Sequence, residues 1–440
     1  MSKAPAVPKK AKQGADPHRR DWSWVEASIW TDRMLTALEN GVKGGKWFSL
    51  IDKVWCCETL EAAWHRVAGN KGAAGVDGQS VEKFAHKAEM YLAELEASLK
   101  LGTYRPQPVR RVEIPKGQGK SRPLGIPAVK DRIVQTALKL VIEPIFEQMF
   151  QSSSYGFRPG LGCKDALREV DGLIKAGYTH VVDVDLASYF DTIPHERLME
   201  LLEERISDGR VLELLRGYLE QDIMKDLERW TPVSGTPQGA VISPLLANVY
   251  LHPLDSHMQK KGYRMVRYAD DFVIMCRSAQ SAQAAEQEVR MWVARNGLRL
   301  NPDKTHVGDC RIAGQGFEFL GYRFEAGARL VRKKSLKSLR DRVRSMTKRT
   351  CGQSLERVIN SLNPMLRGWF AYFKHAKAFI FKAIDGFVRR RLRAILRAHT
   401  GRSGQGHCLR DHKRWTNEFF AAHGLLTMTE AHARACQSRC

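Results

Sequence analysis

The chain has 440 residues, of which 43% are hydrophobic, and a formal net charge of +23. This length suits two or three domains with cores of their own. The sequence has neither an apolar run near the roughly 18 residues that span a bilayer nor a secretory signal, and the positive charge predicts a polyanionic partner, nucleic acid first.

The N-terminal part divides into a basic arm and a helical region. Residues 1–20 are basic, and we expect them to be flexible. Residues 21–67 show helical spacing and are rich in tryptophan. After a glycine-rich turn, the segment that opens at Ser80 predicts one capped helix that ends near Gly102. Residues 21–103 are therefore predicted to form a helical N-terminal extension.

Residues 104–324 predict a mixed α/β region. Apolar and basic residues alternate around a Lys/Gly turn just after residue 104, which predicts a hairpin. The pattern then predicts, in chain order, a helix at 130–150 that is interrupted at Pro144, a strand at 178–185, a mostly helical stretch at 195–230, a helix at 239–260, two short strands at 263–276, a helix at 279–295, and strands near 304–307 and 317–324.

The C-terminal part is strongly basic. Residues 323–349 hold 11 Lys/Arg against 2 Asp/Glu, and residues 374–402 hold 9 against 1. Their helical spacing predicts a basic helical domain at 325–400, followed by a linker and a short appendage at 401–440. The nine cysteines form no CxxC pair, which argues against structural zinc and favours reduced thiols in a cytoplasmic chain.

Acidic residues in two predicted strands suggest a catalytic centre. The stretch YTHVVDVD carries Asp183 and Asp185, and RYADDFVIMC carries the adjacent pair Asp270 and Asp271. If these stretches are neighbouring antiparallel strands, the carboxylates converge, and two Mg²⁺ ions would offset their charge and support phosphoryl transfer. The alternative is a surface pair at a β-turn. The apolar run after the pair and the second acidic strand argue against that alternative.

The ordered motifs give the chain a family likeness. They resemble those of reverse transcriptases: KGQGKSRPLGIPAVKDRIVQTAL (116–138), SYGFRPGLGCKDAL (154–167), VVDVDLASYFDTIPHERL (181–198), GTPQGAVISPLLANVYL (235–251), RYADDFVIMC (267–276), LRLNPDKTHV (298–307) and FEFLGYRF (317–324). In this form they are similar to bacterial group II intron-encoded reverse transcriptase/maturases, and LNPMLRGWFAYFKHA at 362–376 resembles their maturase domain.

The resemblance implies an α+β, right-hand polymerase fold. Residues 21–103 would form an N-terminal extension and the helical part of the fingers, and residues 104–324 would form the fingers and a palm with an antiparallel sheet. An all-helical thumb, the maturase domain, would occupy 325–400, and residues 401–440 would form a short appendage that binds nucleic acid. It also implies that Asp185, Asp270 and Asp271 hold two Mg²⁺ ions and catalyse nucleotidyl transfer from dNTPs. We expect Asp271 to be the weaker ligand and Asp183 to be a bystander or a supporting group.

The resemblance also implies a nucleotide-binding set: Lys116, Arg122, Phe190, Gln238 and Lys304. Lys120 competes with Lys116 for the same role at the triphosphate. Phe190 would exclude a 2′-hydroxyl by its bulk, with simple core packing as the alternative. Lys304 would neutralise the leaving pyrophosphate, with a solvated lysine at a strand end as the alternative.

Further positions match contacts to the nucleic acid. Phe319, Leu320 and Gly321 match the primer grip. Residues expected to bind template or RNA carry positive charge: Arg158, Arg332, Lys333, Lys334, Arg389, Arg390 and Arg391.

The implied function is an RNA-directed DNA polymerase that binds its intron RNA, assists splicing and reverse transcribes the RNA during mobility. The implied partners are the intron RNA, an RNA template/DNA primer duplex and target DNA. Because the C-terminal region lacks paired cysteines, we expect an endonuclease-lacking type that acts in the cytoplasm and at the nucleoid when bound to DNA. The alternatives are a reverse transcriptase of another retroelement or defence system, and a splicing-only maturase. The intact aspartates argue against the last of these.

Overall fold

The computed structural model describes residues 22–117, 120–350, 352–401, 404, 406 and 408–437. The predicted basic arm at 1–20 lies outside them. None of the helices in these ranges is long and apolar enough to cross a membrane.

Two compact units divide the chain. The first holds the described part of Met1–Phe150 together with Phe157–Leu161 and Phe190–His252. The second holds the rest of the described chain: Gln151–Gly156, Gly162–Tyr189 and the described part of Pro253–Cys440.

Helices carry most of the regular structure. Their bounds, in chain order, are α1 (Asp32–Asn40), α2 (Ile51–Trp55), α3 (Cys57–Gly69), α4 (Val81–Ala85), α5 (Ala88–Leu101), α6 (Val129–Glu147), α7 (Cys163–Lys175), α8 (Tyr189–Thr192), α9 (His195–Glu203), α10 (Gly209–Leu219), α11 (Ser243–Lys260), α12 (Ala279–Arg295), α13 (Lys333–Met346), α14 (Leu355–Phe373), α15 (Ala378–His399), α16 (Leu409–Arg414), α17 (Asn417–Ala422) and α18 (Met428–Gln437).

The strands are short and form three sheets. Their bounds are β1 (Val109–Gly117), β2 (Lys120–Ile126), β3 (His180–Asp185), β4 (Ile223–Lys225), β5 (Glu228–Trp230), β6 (Arg264–Tyr268), β7 (Asp271–Cys276), β8 (His306–Asp309), β9 (Phe317–Phe319), β10 (Tyr322–Glu325) and β11 (Ala328–Val331). The first unit holds the sheet β2-β1-β4-β5, and the second holds β6-β7-β3-β8 and β11-β10-β9.

Several predicted elements are confirmed. The hairpin after residue 104 is the antiparallel pair β1–β2. The two strands at 263–276 are β6 and β7, and α12 has the predicted bounds. Ser80 caps α4 by accepting a hydrogen bond from the Lys83 amide, and Gly102 ends α5 with φ +71°.

Several predictions about local structure are wrong. The strand expected at 317–324 is two strands, β9 and β10, because Leu320 and Gly321 form a turn between them. The basic region at 325–400 begins with a strand, β11, before its helices. The single helix expected from Ser80 to Gly102 is two helices, α4 and α5. The stretch 195–230, expected to be mostly helical, ends in β4 and β5, because β4 adds in parallel to β1 and tertiary pairing overrides the local pattern. The expected interruption at Pro144 does not occur, since α6 continues to Glu147.

A tryptophan explains why α6 continues through Pro144. Proline has no N–H for the carbonyl four residues earlier, which is that of Leu140. The indole Nε1 of Trp30 donates a hydrogen bond to this carbonyl oxygen at 3.1 Å, and Trp30 is 2% exposed. The side chain therefore supplies the donor that the proline lacks.

The second unit has one continuous apolar core. It joins the sheet β6-β7-β3-β8 to β9–β11 and to the helices that follow, and it includes Val181, Val273, Phe317, Phe319, Tyr322, Phe373, Phe381 and Phe420. Trp369, Phe370 and Tyr372 pack against this cluster, so the aromatic residues of 362–376 belong to the core of the unit.

A buried carboxyl group joins α6 to its neighbours in the first unit. Asp131 accepts hydrogen bonds from the Tyr104 hydroxyl at 2.6 Å and from the Gln107 amide at 3.0 Å. Tyr104 in turn bonds the Tyr218 hydroxyl at 2.7 Å. Burial raises the pKa of Asp131 to about 6, despite the hydrogen bonds that favour its charged form.

The raised pKa of Asp131 makes folding sensitive to pH. In the folded chain the Asp131 carboxyl stays protonated at pH values above its ordinary pKa of 3.8, up to about 6. The stability that this protonated carboxyl contributes is therefore fully present below about pH 4 and is lost as the pH rises through about 6. Relative to Asp131→Asn, the wild type should lose about 2–3 kcal/mol of unfolding free energy between pH 4 and pH 7. Urea unfolding of both proteins measures this difference, and a constant difference would contradict the assignment.

Candidate active site

The acidic strands predicted from the sequence lie side by side. Strands β3 and β7 are antiparallel neighbours, and their register places Asp185 directly opposite Asp271. Cβ atoms of directly opposed residues lie about 4.5–5.5 Å apart in such a pair. The expectation that these stretches are neighbours in one antiparallel sheet is confirmed.

Asp270 lies in the turn between β6 and β7. Tyr268 pairs with Asp271, so Ala269 and Asp270 form a two-residue turn. Ala269 has φ +61°, a conformation that favours glycine in such turns. Strain of this kind costs about 1–3 kcal/mol and persists where the surroundings enforce it.

The carboxylates at this edge of the sheet affect one another electrostatically. Burial, together with repulsion from Asp183, Asp270 and Asp185, raises the pKa of Asp271 to about 7. Burial also raises the pKa of Asp183 to about 7, and Asp185 contributes to that shift. Negative charge is therefore concentrated at one end of the strand pair.

Polar side chains from the loop before β8 contact Asp185. Lys304 Nζ donates to Asp185 Oδ2 at 2.6 Å, and Asn301 Nδ2 donates to the same oxygen at 3.1 Å. The Asn301 amide also donates to the Asp185 carbonyl at 2.8 Å. The structure thus places Lys304 against a predicted catalytic carboxylate, although the side chain remains 59% exposed.

The donor set suits a hard divalent cation. Mg²⁺ prefers carboxylate oxygens and typically takes one or two protein carboxylates together with substrate phosphates. A bound cation would also relieve the repulsion that raises the pKa of Asp271. In the described part of the chain, no group of three His, Cys, Asp or Glu side chains is arranged to hold a metal ion. The carboxylates therefore fit a Mg²⁺ site in which phosphate oxygens of the substrate supply the remaining ligands.

The first unit holds a second polar network, which contains two of the predicted nucleotide-binding residues. Arg122 Nε donates to Gln238 Oε1 at 2.7 Å. Gln238 Nε2 lies 3.3 Å from Asp191 Oδ2. Asp191 lines a cavity of about 340 Å³ with Arg111 and Trp230 among its walls. This network brings together positive charge, an amide and a carboxyl group beside an open volume.

Phe190 lies in the same unit and is 9% exposed. Its ring packs edge-on against Phe157 with centroids 6.5 Å apart, and its carbonyl accepts from the Thr236 amide at 2.7 Å. The ring of Phe190 packs in the interior, and this position is compatible with both roles considered for it, core packing and exclusion of a 2′-hydroxyl. The side chains of Lys116 and Lys120 lie outside the described residues.

The predicted primer-grip residues form the β9–β10 turn. Leu320 and Gly321 are the two turn residues, with φ +47° and +85°, between the paired Phe319 and Tyr322. The Leu320 carbonyl accepts from the Tyr372 hydroxyl at 2.8 Å. The Gly321 carbonyl accepts from the Arg332 amide at 3.0 Å. The turn is therefore held from two sides.

The residues predicted to bind RNA differ in their burial and in the groups that they contact. Arg158 is 8% exposed and pairs with Glu147 at 2.5 Å. Arg391 donates to both oxygens of Thr347. Arg390 lies 5.1 Å from the centre of the Phe387 ring, and Arg332 approaches Glu318 at 3.8 Å. The remaining residues, Lys333, Lys334 and Arg389, lie at the start of α13 and on α15. RNA binding by this set stays a prediction.

Comparisons with known proteins give the family. Residues 114–324 match the family "Reverse transcriptase (RNA-dependent DNA polymerase)", and residues 336–415 match "Group II intron, maturase-specific domain". The chain is 36% identical to Protein YkfC of Escherichia coli (strain K12), over 63% of this chain and 81% of YkfC. The chain belongs to the group II intron-encoded reverse transcriptase family. Its fold is the α+β, right-hand polymerase type with a helical maturase domain.

Other similar proteins match over smaller parts. Group II intron-encoded protein LtrA of Lactococcus lactis subsp. cremoris is 38% identical over 44% of this chain, and the match spans 32% of LtrA. The structure of telomerase from Candida albicans aligns with a TM-score of 0.42 and 13% identity over 78% of this chain and 67% of that chain.

The sequence-based prediction of this reverse transcriptase site missed two groups. Asn301 contacts Asp185, and Arg267 lies directly before the Tyr268–Asp271 turn. The available signal for Arg267 was an arginine directly after the apolar residues Met265 and Val266, since a buried arginine requires an acidic partner. No comparable signal singled out Asn301, because its contact depends on how the loop before β8 folds.

Replacement of Gly321 tests the predicted primer-grip role of the β9–β10 turn. A Cβ atom at this position would lie 3.3 Å from Phe373 Cζ, and φ is +85°. Gly321→Ala should cost about 1–2 kcal/mol of stability and weaken binding of a template–primer duplex in a titration. The matched control is Gly327→Ala, because Gly327 has φ +69° with open space around it. Equal weakening in both variants would contradict a specific role for the β9–β10 turn.

Proposed function

We propose that this chain is an RNA-directed DNA polymerase of a group II intron, which binds the intron RNA to assist splicing and then copies it into DNA. The observation that carries the polymerase part is the register that sets Asp185 opposite Asp271, with Asp270 in the adjoining turn. The family match covers this strand pair and the turn.

The proposed chemistry is nucleotidyl transfer at the end of β3 and β7. Asp185, Asp270 and Asp271 would hold two Mg²⁺ ions, which supply charge stabilisation at the attacking and leaving oxygens when bound. Lys304 is held at Asp185, where its ammonium group is available to a departing pyrophosphate. The buried strand residues Phe272 and Val273 fix the carboxylates rigidly.

In the first unit we assign nucleotide recognition to Arg122, Gln238 and Phe190. The guanidinium of Arg122 offers a planar fork for phosphate oxygens, and Gln238 orients it through their hydrogen bond. Phe190 would meet the sugar and disfavour a 2′-hydroxyl by its volume. The substrates are therefore dNTPs.

Removal of the turn carboxylate tests the polymerase function. Asp270→Ala should lower cDNA synthesis on an RNA template with Mg²⁺ by about 100-fold or more, because a metal ligand is lost. The matched control is Asp52→Asn, an exposed carboxylate of α2. Wild-type protein that makes no cDNA, or an Asp270→Ala variant that extends normally, would contradict the proposal.

We assign intron RNA binding to the maturase domain. Arg340, Arg344 and Arg390 line a cavity of about 340 Å³ around Phe387 on α13 and α15. Arg344 and Arg390 lie 5.5 and 5.1 Å from the centre of this ring. Burial lowers the pKa of Arg391, and the neighbouring arginines lower it further, so positive charge is in excess here. Such a surface suits phosphates flanking an unstacked base.

The salt dependence of RNA binding tests this surface. Arg340→Gln combined with Arg390→Gln should weaken binding of the intron RNA and reduce the slope of log K against log salt by about one per lost phosphate contact. Arg290→Gln on α12 is the control, because Arg290 pairs with Glu286 and is not among the residues that line this cavity. An unchanged slope in the double variant would rule out phosphate contacts at this cavity.

The splicing role is separable from the polymerase role. RNA scaffolding requires charge and shape, so Asp270→Ala protein should still support splicing. The match to the maturase-specific domain favours an intron element over a defence-linked reverse transcriptase. We further propose that the protein acts in the cytoplasm, that it engages target DNA at the nucleoid, and that the described elements group into the extension, fingers/palm, thumb and appendage expected from the sequence.

A further inference from the structure

A fully buried ion pair lies behind the Tyr268–Asp271 turn. The side chains of Arg267 and Asp255 are both 0% exposed. Arg267 Nε and Nη2 donate to the two carboxylate oxygens of Asp255 at 2.7 and 2.5 Å. Burying two charges is expensive, and apolar residues of similar size often serve stability equally well. Stability alone therefore does not account for the pair.

The remaining nitrogen of the same guanidinium reaches the turn. Arg267 Nη1 donates to the Ala269 carbonyl at 2.9 Å. This carbonyl belongs to the peptide bond that joins Ala269 to Asp270. Since Ala269 has φ +61°, the peptide is held in a conformation that alanine rarely adopts.

The segment before α7 packs against the other side of the turn. The Tyr155 amide donates to the Arg267 carbonyl at 2.9 Å, and the Arg267 amide donates to the Ser153 carbonyl at 2.8 Å. A Cβ atom on Gly156 would lie 2.3 Å from the Ala269 nitrogen. The backbone leading to Asp270 is thus fixed both by neighbouring chain and by the buried guanidinium.

We propose that Arg267, oriented by Asp255, is a positioning residue that aims the Asp270 carboxylate by holding the Ala269–Asp270 peptide. The role rests on the proposed polymerase function. Asp255 sets the direction of the guanidinium, and the guanidinium sets the direction of the peptide. Errors of about 1 Å in such placement reduce rates by about 100-fold.

An apolar replacement of the pair separates positioning from folding. Arg267→Met with Asp255→Leu removes both charges and keeps similar volume, so the urea unfolding midpoint should stay near that of the wild type. The Ala269 carbonyl loses its donor. We expect kcat for primer extension to fall about 10-fold to 100-fold, with KM for dNTP nearly unchanged. The Mg²⁺ concentration for half-maximal activity should also rise, because supporting contacts typically change metal affinity about 10-fold or more.

Two further variants complete the design. Lys139→Met with Glu143→Leu removes a partly buried ion pair on α6, 3.3 Å long, and should leave kcat and Mg²⁺ dependence unchanged. Arg267→Lys keeps a charge for Asp255 but lacks the planar fork, so it should fold and show the same kcat defect.

The measurements on these variants distinguish a positioning role of Arg267 from a purely structural one. A folded apolar double variant with wild-type kcat and Mg²⁺ dependence would overturn the positioning role. Failure of both the double variant and Arg267→Lys to fold would also overturn it, because the pair would then be required for the fold itself. A wild-type protein without activity would instead refute the proposed polymerase function.

Discussion

The structure of the second unit depends on one electrostatic constraint: negative charge is held at the edge of an apolar sheet. Asp185 and Asp271 face each other across β3 and β7, and burial raises the pKa of Asp271 to about 7. Such an arrangement is unfavourable unless positive groups are near. Lys304 contacts Asp185, and Arg332, which lies between β11 and α13, lowers the pKa of Asp271. The protein thus supports the carboxylates with cations of its own.

The same constraint explains why the turn is so firmly built. Catalytic carboxylates must keep their direction while they repel each other, so the backbone that carries them has to be rigid. Five hydrogen bonds and a close glycine fix the chain around Ala269 and Arg267. The strain at Ala269 is consistent with a site where geometry matters more than local stability.

The sequence predicted the parts of the molecule that depend on local pattern or on ordered motifs. The bounds of α12, the β1–β2 hairpin and the pairing of the acidic strands followed from periodicity and from the family likeness. The predictions of secondary structure failed where a contact with a residue or strand far away in the sequence determines the local structure. Trp30 completes α6 from 110 residues away, and β1 recruits β4 as a parallel neighbour. No local pattern contains such partners, and for the same reason the sequence does not indicate that Asp255 is the partner of Arg267.

The β9–β10 turn and helix α14 of the maturase domain contact each other directly. The Tyr322 hydroxyl donates to the Tyr372 carbonyl at 2.7 Å, and the Tyr372 hydroxyl donates back to the Leu320 carbonyl at 2.8 Å. This reciprocal pair ties the proposed primer grip to α14. Because each tyrosine is fixed by the other element, a shift of α14 must move the turn or break both bonds. The proposed primer grip is therefore built on contacts with α14 as well as on its own sheet.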